Sequence, residues 1–284
     1  MATEIKGEDI TQYLDDRDDF DLELFAFRTL REHGWFAELG GTYVDPVLGK
    51  PRQYDVRARV LFSPGIEREL YFAVECKSLT KENPLVVSCV PRPIRESLHD
   101  VIIRRPRRAF GDETYEVFTS QPSDFRLYGA DEMVGKSATQ IRWDRSGKLA
   151  ASDAETYDKW AQALASAAEL VEVAAHREVR DKSIFAFVMP VLLVNDATLW
   201  SVDYDAEGKR SAPQPASSAV LFVDRKVGLK SVVRPSTTYH LSHLHIYTRT
   251  SFERMLTTAP RPTDHLLEKI FRQAVHYADE QKIL

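Results

Sequence analysis

Four residues could do chemistry by type and spacing: Glu23, Asp55, Glu75 and Lys77. Glu75 and Lys77 stand two apart in FAVECKSL (72–79), an otherwise apolar stretch. Residues i and i+2 of a strand share a face, so the two charges point together and Cys76 points the other way, into packing. Asp55 lies in QYDVRARVLF (53–62), and a turn at SPGIE (63–67) lets the two stretches pair and sets Asp55 beside Glu75. Adjacent carboxylates with room for water suit a hard divalent cation, Mg²⁺ or Mn²⁺. A lysine beside them can polarise a scissile phosphate or orient an attacking water whose pKa the metal lowers. Alone, Glu75 and Lys77 read more readily as an exposed ion pair beside Arg57 and Arg59. Asp55 one strand back and Glu23 on the preceding helix shift that balance.

The elements that must position these residues are legible in part. DFDLELFAFRTLREHGW (19–35) has helical spacing at Leu24, Phe27, Leu30 and Arg31, with Asp18, Asp19 and Asp21 at its start and Gly34 as a stop. WFAELGGTYV reads as a strand broken at Gly40-Gly41, and DPVLGKP (45–51) as a loop. In 53–62, Tyr54, Val56, Ala58 and Val60 alternate with Asp55, Arg57 and Arg59, which predicts a half-buried strand. PLVVSCV (84–90) reads as a short strand and IRESLHDVII as a short helix. AETYDKWAQALASAAELVEVAAHREVRD (154–181) is the clearest helix, with Trp160, Ala163, Ala167, Leu170, Val171 and Ala174 as its apolar stripe and Asp153 as its N-cap. Strands are expected at 184–194, 199–204, 219–227 and 241–249, a solvated loop at 207–218, and two helices near the C-terminus.

The chain has 284 residues, 43% hydrophobic and 29% charged, which are ordinary globular values, and a net charge of −5. That charge excludes a wholesale basic binder, so contact with nucleic acid would need a local basic patch. Two cysteines, Cys76 and Cys89, make no disulfide framework and point to a reducing cytoplasm. The longest apolar run, IFAFVMPVLLV (184–194), is far short of a membrane span and is interrupted by Pro190. Among basic residues, Arg92, Arg95, Arg104, Arg105, Arg107 and Arg108 could meet phosphates, or form a solvated face. His243 and His245 share a strand face at a spacing that can bind metal, without a third ligand nearby in sequence. No glycine-rich phosphate loop is present.

Glu23 with LFAFRTLREHGW, then QYDVRARV, then LYFAVECKSL resembles the PD-(D/E)XK nuclease superfamily, the ECK tripeptide being its most specific part. The resemblance implies an α/β fold with a restriction-endonuclease-like core: helix, three strands, helix, strand, as a mixed sheet flanked by helices. The core motifs would occupy 20–80 and 154–194 of a single elaborated domain over 1–284, with an insertion at 81–153 and a C-terminal extension at 195–284. Asp55 and Glu75 would bind Mg²⁺ or Mn²⁺, Lys77 would be the catalytic lysine, Glu23 an accessory acid and metal ligand, and Gln162 an accessory residue on the second core helix. Arg92, Arg95, Arg104 and Arg105 are the candidate phosphate contacts. The implied activity is metal-dependent phosphodiester hydrolysis by a cytoplasmic endonuclease, on DNA ahead of RNA, in bacterial defence or DNA processing. A homo-oligomer or a partner protein would suit such a nuclease. A ribonuclease using the same site, or a catalytically silent subunit that binds nucleic acid or a partner, are the alternatives. Tyr54 stands where the superfamily's name has proline.

Overall fold

A computed structural model describes residues 4–17, 19–45, 49–62, 66–106, 115–120, 127–179, 182–229, 237–258 and 265–281. It is an α/β structure: a large mixed sheet with helices on both faces. Helix α1 (Gly7–Arg17) precedes α2 (Phe20–Glu32). The buried face of α2 is Leu22, Ala26 and Leu30, at i, i+4 and i+8, while Leu24 and Phe27 are half-buried. Gly34, at φ 81°, ends it in the left-handed region that glycine enters without steric cost. Asp18 falls outside the described residues.

Strands β1 (Phe36–Val44), β2 (Pro51–Phe62) and β3 (Glu67–Lys77) form an antiparallel meander. Strand β1 continues through its two glycines. The register is unchanged from Leu39↔Val56 to Gly41↔Tyr54, with Gly40 at φ 63° between. The alternation expected for β2 nonetheless fails at Tyr54. Val56 and Ala58 join the core under α2, but Tyr54 packs with Tyr43 and Ala165.

The segment between β3 and the long helix adds β4 (Leu85–Pro91), a short 3₁₀ turn (Ile94–Glu96), β5 (Asp100–Arg104), β6 (Tyr115–Thr119), β7 (Met133–Trp143) and β8 (Leu149–Ala151). The helix expected over IRESLHDVII is absent. Val101, Ile102 and Ile103 are β-branched and fully buried, and β5 pairs with β6 and with β9 (Ile184–Val194) instead. Helix α3 spans Asp153–His176, capped at Ser152 rather than Asp153 and ending at an extended Arg177. Then follow β9, β10 (Leu199–Asp203), β11 (Gln214–Pro215), β12 (Ser218–Leu229), β13 (Thr237–Thr248), α4 (Arg249–Thr258) and α5 (His265–Glu280).

The strand order is β1-β2-β3-β9-β13-β12-β7-β4-β10-β11. β9 is parallel to both β3 and β13 and buried along its length. Pro190 fits in this central strand because β9 changes partner there. On the side away from β3, β5 pairs with 184–186 and β13 with 191–194. Val188, two residues earlier, donates its N–H to the Tyr239 hydroxyl at 3.3 Å. The missing proline N–H therefore falls in a gap in the ladder. Helices α2, α4 and α5 pack one face, with Phe72, Val74, Cys76 and Met189 beneath them. The alanine row of α3 packs the other, on Tyr71, Ala73, Ala186 and Val188. Among the described residues, no helix is long and apolar enough to cross a membrane.

Candidate functional site

The last ladder pair between β2 and β3 is Val56↔Val74, which leaves Asp55 and Glu75 side by side one step further on. Tyr71 and Ala73 face α3, so alternation puts Glu75 and Lys77 on that face and Cys76 on the other, where it joins the core. The Cys76 N–H donates to Asp55 Oδ2 at 2.7 Å and fixes that carboxylate against β3. Ser78 N–H donates to Asp19 Oδ1 at 2.6 Å, and Leu79 N–H to Asn195 Oδ1 at 2.8 Å. These bonds hold the chain as it leaves β3.

Lys159 of α3 lies over the carboxylates. Its ammonium donates to Asp55 Oδ2 at 2.9 Å and stands 3.6 Å from Asp19 Oδ2 and 3.9 Å from Glu75 Oε2. Lys77 Nζ is 4.0 Å from Asp19 Oδ2. Among the described residues, the carboxyl groups of Asp19, Asp55 and Glu75 thus share the ammonium groups of Lys77 and Lys159. Glu75 is 0% exposed, and among the described residues its carboxylate sits against Asp55, with the Lys159 ammonium the nearby cation. Burial raises its pKa well above the usual carboxylate range, and the Asp55 charge raises it further against the pull of Lys159. Burial also raises Asp19, opposed by the Ser78 N–H and by both lysines. For Lys159, burial acts downward, but Asp55, Glu75 and Asp19 together push the ammonium above the ordinary lysine range. Burial and the charge of Glu75 push the Tyr43 hydroxyl up to about 12.

Two site residues were missed in the sequence. Asp19 reads as a helix start, yet its side chain makes no cap bond and turns to Ser78 and the lysines. Lys159 heads the i+4 row Ala163, Ala167, Val171 and Ala175, each buried. A lysine at a position where the stripe wants an apolar residue was the available signal. Glu23 stands half-buried on α2, where its charge and those of Asp55 and Glu75 add to burial in holding the Cys76 thiol well above its usual range. Gln162 is half-buried, one turn along α3 from Lys159, and its carbonyl accepts the Tyr43 hydroxyl at 3.4 Å.

Arg92 and Arg104 do not face solvent as phosphate contacts. Arg92 is buried against Tyr128, bonded to the Gly129 carbonyl and Glu132. Arg104 is 1% exposed and paired with Glu69. Both were taken for surface residues because their surroundings could not be placed: Arg92 just follows β4 and Arg104 ends β5. Arg95 is exposed, and Arg105 pairs with Glu116 at the surface. Arg107 and Arg108 lie outside the described residues.

His243 and His245 are buried in a neutral aromatic cluster. His243 stacks on Tyr128 at 3.6 Å between ring centroids, and His245 Nε2 is 2.8 Å from the Tyr128 hydroxyl. Among the described residues, no group of three or more His, Cys, Asp or Glu side chains is arranged to hold a metal ion. No protein-family model, curated protein or solved structure matches the chain.

Proposed function

We propose that the chain hydrolyses phosphodiester bonds in nucleic acid, DNA in preference to RNA, with Asp55 and Glu75 holding a divalent cation and Lys77 acting beside them. One observation carries this reading. Glu75 is a fully buried carboxylate set directly beside a second carboxylate, Asp55, and among the described residues its cationic neighbour is Lys159, 3.9 Å away. Such a group is expensive unless a cation compensates it. Two carboxylates fit Mg²⁺, which keeps several waters and takes its remaining ligands from substrate phosphate. When bound, the cation would lower the pKa of a water and offset charge on the phosphate. The order helix, antiparallel triplet, packing helix and fourth strand parallel to the third supports the restriction-endonuclease-like reading. In that reading α2, β1–β3, α3 and β9 are the core. Asp19, 3.6 Å from Lys159, joins Glu23 as a candidate accessory acid.

Complete burial of Glu75 under Lys159 favours a second reading, a silent nuclease-like subunit that binds nucleic acid or a partner. Incubation with plasmid, linear duplex, single-stranded DNA and RNA separates the two. Cutting that needs Mg²⁺ or Mn²⁺, stops with chelator and is lost in Asp55→Ala and Lys77→Ala supports hydrolysis at this site. No cutting of any polymer supports the silent subunit, and variants that cut as well as the parent remove the site from the reaction.

A further inference from the structure

Strand β3 carries a second buried carboxylate on the α3 side, Glu69, six residues and roughly 20 Å before Glu75. Three guanidiniums converge on it. Arg104 Nη2 donates to Oε2, Arg59 Nη1 to Oε1 at 3.2 Å, and Arg177 Nη1 stands 3.8 Å from Oε1. The Tyr71 hydroxyl donates to Oε2 as well, at 2.7 Å. Among the described residues in this knot, three positive charges meet one negative charge. Among the described residues, the buried Arg104 Nε–H has no acceptor. Arg104 is shut away from water, while Arg59 and Arg177 stay partly open to it, so an anion arriving from their side would find guanidinium donors.

A cavity of about 270 Å³ opens beside the knot, between α3 and the β1–β2 pair. Arg59, Arg177 and Tyr71 of the knot line it with Phe36 and Glu38, as does Arg57, which is mostly buried and already paired with Glu169. The side chain of Arg177 is 44% exposed, and Phe36 is 62% exposed, unusual for a large aromatic ring. Glu38 adds one acceptor, its Oε2 already taking the Tyr54 hydroxyl at 3.0 Å. Two accessible guanidiniums, a flat apolar wall and a single carboxylate match a phosphate attached to a planar ring that carries hydrogen-bond donors.

We infer that this cavity binds a nucleotide, with the phosphate on Arg59 and Arg177 and the base against Phe36. The ligand is either a free mononucleotide or one nucleotide of a single strand. Arg59 follows Asp55 by four residues on the same strand, roughly 13 Å, which is within reach of a strand that also enters the carboxylate site. The inference does not depend on hydrolysis at that site.

Calorimetric titration in chelator, so that nothing is cut, tests it with 5′-AMP, adenosine, inorganic phosphate and a short oligothymidylate. Arg177→Ala and Phe36→Ser alter exposed side chains, and thermal melts check that both stay folded. The expected result is saturable 5′-AMP binding, with adenosine and phosphate each weaker. Arg177→Ala should weaken it about tenfold or more, Phe36→Ser should weaken it severalfold, and Asp55→Ala should bind like the parent. An oligothymidylate that binds tighter than 5′-AMP, with the same dependence on Arg177 and Phe36, assigns the site to a strand; equal or weaker binding assigns it to the free nucleotide. Absence of binding by every probe overturns the inference, as does binding unchanged in both variants.

Discussion

Replacing Lys159 by Met tests the electrostatics of the carboxylate cluster. The substitution keeps an unbranched side chain and removes the only ammonium within 4 Å of both Asp55 and Glu75 among the described ion pairs. At 2.9, 3.6 and 3.9 Å from Asp55, Asp19 and Glu75, the gross attractions are roughly 6, 5 and 4 kcal/mol at an effective dielectric of ~20. Desolvation cancels most of this, because the lysine side chain is only 19% exposed and Glu75 is 0% exposed. Removing one partner of a buried ion cluster typically costs about 3–5 kcal/mol. In chelator, Lys159→Met should therefore melt roughly 6–10 °C below the parent. Saturating Mg²⁺ should then restore more stability to the variant than it adds to the parent, since only the parent must first release Lys159. Thermal melts with and without Mg²⁺ read both effects. A variant melting within about 2 °C of the parent in chelator would refute the reasoning.

Glu75→Gln should stabilise the metal-free protein by about 1–2 kcal/mol near pH 8 while abolishing the proposed cleavage, the usual conflict between stability and a functional group. The Glu75 pKa is raised on folding, so its penalty is present at high pH and relieved as pH falls toward the unfolded carboxylate value. Urea midpoints of variant and parent should therefore converge in acid, and a gap that does not vary with pH contradicts this. The buried histidines act in the opposite sense: burial lowers His99 to about 4 and His245 to about 3, and it also lowers His243. Unfolded chains take up these protons below about pH 6.5, so each histidine contributes a loss of about 1.4 kcal/mol per pH unit as pH falls from there toward its folded value. His245→Gln should flatten the acid limb of the parent's stability profile, and an unchanged limb would show that His245 is not buried neutral. Gly135→Ala should destabilise by about 1–3 kcal/mol, because a Cβ there would meet Leu221 Cδ1 and Val87 Cγ1 at 2.6 Å. Chemical denaturation reads it, and no loss would mean that both side chains rotate away freely.

Adjacency of Asp55 and Glu75 could be read from two alternating segments and one short turn, because a two-residue period and a tight connection leave few registers. The long helix was equally plain, its alanine stripe spanning several turns. Tyr54 defied the alternation because it packs with Tyr43 of β1 and Ala165 of α3, partners that no pattern within β2 records. β5 was mistaken for a helix because short apolar runs lack a distinguishing period, and its partner β9 lies about eighty residues away. Asp19 and Lys159 were hidden for a related reason. Each has an adequate local explanation, as a helix start or a solvent-facing lysine, and only the meeting of α2, β3 and α3 shows what they face.

Strand β9 gives the site a place in the order of synthesis. β3 is buried on both faces and needs β9 as a neighbour, but β9 begins at Ile184, more than a hundred residues after β3 ends at Lys77. A ribosome adding about 5–20 residues per second leaves the carboxylates of a nascent chain without Lys159 or a completed sheet for several seconds. Until then β3 lacks the neighbour that it has in the folded sheet. The burial that raises the Glu75 pKa is thus complete only in a chain translated past β9, which separates the emergence of the motif from the completion of its setting.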